Sequence, residues 1–177
     1  ALIKKIMLNR ILTGVLILAF FIGCSSTKEI QRMTFPAAEY DKLPKAGTGK
    51  ARVSGEAFFV SSWGDAKKCA GATIYLYRKT SYTEEWFRVS VLGGKAMSEW
   101  DPRVKEYNIY VKADAEGKFE FFNVSEGEYY VITWYYWDQP QRNAYGNVIG
   151  TKKEGGLLHS EVNIANGSNY KVILTNK

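Results

Sequence analysis

One histidine, two cysteines and four prolines are all that the 177 residues contain of these types. Each scarcity excludes something. A zinc centre needs three or four His, Cys or acidic ligands at close spacing, and His159 with one available cysteine does not supply them. A Ser-His-acid triad would have to use His159. Its neighbour Ser160 is no partner, because adjacent strand residues point to opposite faces. Two cysteines build no disulfide scaffold. Calcium-loop acid patterns are missing too, since Asp114 and Glu116 sit where turn chemistry already explains them. A carboxylate pair for glycoside hydrolysis has many acids to draw on, but no spacing singles one pair out. The sequence therefore points to no catalytic residue, no metal and no cofactor.

Charge of one sign is also in short supply once the first residues are set apart. The net charge is +6, and Lys4, Lys5 and Arg10 contribute half of it. Taking those three from the 24 basic residues leaves 21 against 18 acids, a net of +3 dispersed along the chain. No basic stripe suits a phosphate track, so nucleic acid is not expected as a partner. Two readings are open for Cys69: a thiolate favoured by Lys67 and Lys68, or a half-buried small residue at a strand start.

What the chain has in quantity is aromatic rings and glycine, with 12 Tyr, 9 Phe, 5 Trp and 16 Gly. Large rings favour strands and glycines serve tight turns. The one long apolar run is Ile11–Gly23, 13 residues without a charge behind a basic flank. As a helix it would span about 20 Å, short of the roughly 30 Å hydrocarbon core of a bilayer and suited to the core of a signal peptide. An uncleaved anchor is the competing reading.

From residue 51 onward, short apolar-alternating stretches are separated by turn signals. Strands are expected at Arg52–Val60, Gly71–Arg78, Tyr107–Lys112, Lys118–Val124, Glu128–Trp137, Leu157–Ile164 and Tyr170–Thr175, with a short helix within Ser81–Leu92 that ends at Gly93-Gly94. In that helix Trp86, Val89 and Leu92 share a face. Asp114 to Gly117, Ser125 to Gly127 and Asn166-Gly167 are turns. Asn123-Val124-Ser125 and Asn166-Gly167-Ser168 match the N-glycosylation pattern but read as turn residues. Residues 25–50 read as a linker, with Phe35, Tyr40 and Leu43 as candidates to dock on the domain edge. The fold expected is all-β: a seven- to eight-stranded antiparallel Greek-key sandwich with one short helix in an insertion, plus an N-terminal signal helix.

Two resemblances add to this. Phe21-Ile22-Gly23-Cys24 resembles a lipobox, the site at which bacterial lipoproteins are lipidated and cleaved. It implies that residues 1–23 are a signal peptide, that Cys24 carries lipid, and that residues 24–50 tether the domain to a membrane. Ser25 after the cysteine resembles the outer-membrane sorting pattern. The spacing Asp114-x-x-Gly117-x-Phe119-x-Phe121-x-x-Val124-x-x-Gly127-x-Tyr129 resembles the carboxypeptidase regulatory-like (transthyretin- or prealbumin-like) sandwiches, over residues 51–177. That pattern is one of turns and core, and implies a fold and no site. The zinc-peptidase signature that accompanies such domains elsewhere is lacking, since Val162 stands three residues after His159.

The strand at 129–137 holds six rings in nine positions. Tyr129, Val131, Thr133, Tyr135 and Trp137 share one face; Tyr130, Ile132, Trp134 and Tyr136 share the other. A two-layer sandwich buries one face of each sheet, so some of these rings are exposed or covered by the excursions at 81–105 or 138–155. Trp134, Tyr135, Tyr136 and Trp137 are the candidate ligand-contact aromatics. The expected role is that of a non-enzymatic interaction or structural module of the cell envelope, with an envelope protein or a glycan as partner. Carbohydrate binding through these rings is the alternative.

Overall fold

Residues 29–61 and 64–176 are described by the structure, a computed structural model. The signal segment, the lipobox Phe21, Ile22 and Gly23, and Cys24 lie outside the described residues.

Two sheets of four strands face each other. In the first, β1 (Ala51–Val60) is central. Its first half pairs antiparallel with β5 (Lys118–Val124) and parallel with β8 (Asn169–Leu174), while Phe58 to Val60 form a hairpin with β2 (Ala66–Lys68). The second sheet runs in the order β4 (Ile109–Lys112), β3 (Thr73–Arg78), β6 (Gly127–Arg142), β7 (Val148–Ile164), all antiparallel. The alternation in β3 shows why the chain folds this way. Ile74 and Leu76 are fully buried, and Tyr75 and Tyr77, which alternate with them, face the other side. The inner faces contribute Val53, Ala57, Phe119, Phe121, Val131, Leu158, Val172 and Leu174 to one core, each large side chain stabilising by about 1.5–3 kcal/mol.

The turns of the Asp114–Tyr129 pattern close as turn chemistry requires. The Asp114 carboxylate accepts from the backbone N–H of Glu116 and Lys118 at 3.0 and 2.8 Å. Gly117 has φ +77, and a Cβ there would meet the Ala57 carbonyl oxygen at 2.5 Å, so only glycine fits.

A second layer lies outside the sandwich. Helix α2 (Ser81–Trp86) follows the short helix α1 (Ala37–Tyr40) in chain order and begins at a capping box, with Thr80 and Thr83 bonding each other's backbone N–H. It continues as a π-helical turn over Phe87–Leu92 before Gly93. The expected Trp86–Val89–Leu92 face gives way there: in the wider π turn Phe87 and Val91 reach the sheet while Leu92 is 59% exposed. Residues 29–43 run along this layer. Ile30 bridges Met97, the Ile30 N–H donating to the Ala96 carbonyl and the Ser98 N–H to Ile30. Arg32 packs 4.2 Å from the Trp100 ring centroid. Phe35, Tyr40 and Leu43 join Tyr82 and Val104 in a satellite cluster, so the docking expected of these three residues is present.

Three expectations need correction. Pro102–Tyr107 is a 3-10 turn, with proline and the Asp101 side chain setting its start, so β4 begins at Ile109 and not at Tyr107. The short strand Ala66–Lys68 has no alternation to announce it. Residues 138–155 are no covering excursion: β6 and β7 remain paired through Arg142 and Val148 and form a two-stranded ribbon beyond the sandwich. Gly155-Gly156, expected ahead of the strand, lie inside it opposite Tyr136 and Tyr135.

Candidate functional site

The alternation of β6 distributes its rings as the sequence implies. Tyr129 and Val131 are buried in the sandwich core, with Tyr135 and Trp137 partly buried against it. Tyr130 and Ile132 are buried on the outer face under Trp86 and Phe87, where the Phe87 ring stacks on Tyr130 at 4.1 Å and 10°. Of the two stretches that the sequence offers as cover, residues 81–105 do the covering and 138–155 do not.

The cover stops partway along the face. Tyr77 is closed in by Trp86, at 4.8 Å, and by Trp100, parallel at 6.0 Å. Burial pushes the Tyr77 phenol up to about 12. Trp134 stands at the rim, 6.3 Å from Trp86 and 38% exposed. Beyond it the face is open. Tyr75 packs against Trp134 and Tyr110, each at 6.2 Å, and Tyr110 is 70% exposed. Tyr136 is 52% exposed, with the Lys153 ammonium 5.3 Å from its ring centroid. Tyr75 and Tyr110 oppose each other across β3 and β4, and β6 brings in Trp134 and Tyr136. Three neighbouring strands thus hold Tyr110, Tyr75 and Trp134 in successive ring contact, with Tyr136 two residues further along the same side of β6, on a sheet whose backbone is already hydrogen-bonded. Rings supported in this way offer broad apolar area at small entropic cost.

The four candidate aromatics therefore do not form one surface. Trp134 and Tyr136 face outward; Tyr135 and Trp137 face the first sheet. Trp137 lies 5.5 Å from Phe59 and borders a cleft of about 590 Å³ at the end of the sandwich. Sequence reasoning missed Tyr75 and Tyr110, which alternate on their strands but come together with Trp134 only through the order of the strands. It also left open what becomes of Trp86 and Trp100, which the fold uses as cover.

The remaining reactive groups are accounted for by packing. Cys69 is wholly buried, not half-buried, and lies between β2 and β3; burial pushes its thiol up to about 11, so it is a small packed residue and not a thiolate. His159 lies edge-on to Phe87 at 5.2 Å. Among the described residues, no three His, Cys, Asp or Glu side chains cluster as metal ligands, and no helix is long and apolar enough to cross a membrane.

No family model and no curated protein matches the chain. Among solved structures it is similar to a Pseudomonas aeruginosa protein named a "putative carbohydrate binding protein", at 23% identity and a TM-score of 0.67, over 82% of this chain and 99% of that one. A match to the major pilin subunit BcpA of Bacillus cereus has 11% identity and a TM-score of 0.34, over 71% of this chain and 30% of the pilin. At that score the likeness to the pilin bears on neither fold nor function. The Pseudomonas aeruginosa protein shares the fold over nearly its whole length, and the chain is a two-sheet β-sandwich of that kind.

Proposed function

We propose that this chain is a lipid-anchored protein of the bacterial cell envelope whose sandwich binds carbohydrate through the open half of its outer aromatic face. The observation that carries the reading is the row Tyr110, Tyr75, Trp134 and Tyr136, on a face whose other half is sealed by Trp86, Phe87 and Trp100. The sugar ring presents a face of C–H groups that stacks on such rings, and tyrosine hydroxyls at the margin take its hydroxyls. The name of the structurally similar Pseudomonas aeruginosa protein points the same way. The reading assigns no reaction to the chain.

Lipid on Cys24 would hold this face close to the bilayer. Among the described residues the first backbone contact to the domain is made by Ile30, and six residues of sequence lead from Cys24 to it. At roughly 3.5 Å per residue they reach about 20 Å at most. The test is a glycan array with the wild-type domain and the variants Trp134→Ala and Tyr110→Ala. Binding that falls at least tenfold in both variants, with unchanged thermal unfolding, is expected. No binding by the wild type ends the reading.

A protein partner is the second reading, favoured by the edge of the second sheet. Among the described residues the 17-residue strand β7 pairs with β6 and with no other strand, and Tyr145, Val148 and Ile149 are exposed at the ribbon end. Such an edge accepts an added strand. Site-specific crosslinks from β7 to an envelope protein, with an empty glycan array, would favour it.

A further inference from the structure

The two sheets differ in length at one end. In the first, β1 stops at Val60 and β2 starts at Ala66; in the second, β6 and β7 run on to Arg142 and Val148. The inner face of the ribbon therefore loses its opposing sheet just past Trp137. The result is the cleft of about 590 Å³, floored by Phe59 and Trp137. Its charge is mostly positive. Register pairs Phe59 with Lys67, which puts Lys67 on the same inward side, and its ammonium lies 6.0 Å from the Trp137 ring centroid. Lys152 and Glu154 enter from β7 and pair with each other at 3.4 Å. Among the described residues no carboxylate pairs with Lys67. One indole, one phenyl ring and an ammonium without a counter-ion thus share a concave site. The far wall is pinned by Asn176, whose side chain bonds both the N–H and the carbonyl of Val60, at 2.7 and 3.1 Å.

We infer that this cleft is a second binding site, for a sugar unit that carries an anionic group, a carboxylate or a phosphate. The ring of the sugar stacks on Trp137, and the anion takes Lys67 as its partner, with Lys152 free to turn from Glu154 towards it. Neutral sugars lack the group that would answer Lys67. The inference rests on the carbohydrate reading for its ligand class but uses none of the same residues, because Trp137 and Trp134 point to opposite faces of β6.

The full-length chain in detergent is titrated with oligogalacturonate, with glucose 6-phosphate and with a neutral xylo-oligosaccharide, followed by tryptophan fluorescence. Acidic ligands are expected to bind, and Lys67→Gln is expected to weaken them at least tenfold, as is Trp137→Phe to a lesser degree, with unfolding temperature unchanged. Trp134→Ala is expected to leave acidic binding intact. Whether oligogalacturonate or the sugar phosphate binds more tightly identifies the anion. Absence of binding by both acidic ligands overturns the site, as does binding indifferent to Lys67→Gln. Neutral-glycan binding that depends on Trp134 would survive either result, so the outer face stands or falls separately.

Discussion

Arg78 donates from Nη1 to the hydroxyl of Tyr129 at 2.7 Å, and that hydroxyl passes its own proton bond to the Ser125 carbonyl at 2.9 Å. Arg78 as a residue is 7% exposed, and its Nη2 donates to the Glu126 carbonyl at 2.7 Å. Among the described residues no carboxylate pairs with it. A buried cation is thus satisfied by a phenol and a backbone carbonyl, which ties the Ser125–Gly127 turn to β3.

Removing the phenol oxygen leaves both a guanidinium N–H and the Ser125 carbonyl unpaired. Tyr129→Phe should destabilise the fold by about 1–3 kcal/mol, seen as a lower denaturant midpoint. Gly127→Ala should also be destabilising, since Gly127 has φ +136 and a Cβ would lie 2.5 Å from Arg78 Nη2. Wild-type midpoints in both variants would remove the link from the account.

Thr80 caps α2 and also meets the Tyr40 hydroxyl at 2.9 Å. Thr80→Ala should cost about 1–2 kcal/mol and loosen residues 29–43. Limited proteolysis should then cut near Lys42 faster than in the wild type. Unchanged cleavage would mean that the strap is held by Arg32 and Phe35 without this contact.

Alkaline pH should unfold the domain in a predictable window. Burial raises the Tyr40 and Tyr77 phenols from 10.0 to about 12 in the folded chain. Above pH 10 the unfolded chain therefore holds fewer protons than the folded one, and stability falls as pH rises. The contribution is complete below pH 10 and drawn down between about 10 and 12. Absorbance at 295 nm should show these tyrosines titrating late, together with a loss of stability. Tyrosines that all titrate near 10, with stability flat across the window, would contradict the burial described.

Cys69 should be inert in the folded protein. Its burial and raised thiol predict no reaction with an aromatic disulfide reagent at pH 8 in a Cys24→Ser chain, and one equivalent in denaturant. Rapid labelling of the native protein would instead support activation by Lys67 and Lys68.

Most strands were legible because a sandwich core imposes a period of two on residues that are in contact with it. Ile74 and Leu76, or Phe119 and Phe121, carry that period plainly. The ribbon over 138–155 carries none, because both of its faces meet water and no core selects its side chains; only its hydrogen bonds make it a strand. β2 is too short to alternate. For the site, Trp134 and Tyr136 were legible as rings on one side of β6. Their separation from Tyr135 and Trp137 follows from alternation alone, but the identity of their neighbours does not.

Local chemistry in the sequence thus determined the strand alternation, the Asp114–Gly117 turn, the helix at Ser81 and the candidate acylation signal at Cys24, since each depends on residues close in the chain. Which rings stay open to solvent was decided by the tertiary structure. Tyr75, Tyr110 and Trp134 become one face through strand order, and Trp86 and Trp100 cover one half of that face because residues 81–107 fold back over it. Those are contacts between distant parts of the chain, and no local pattern encodes where such parts meet.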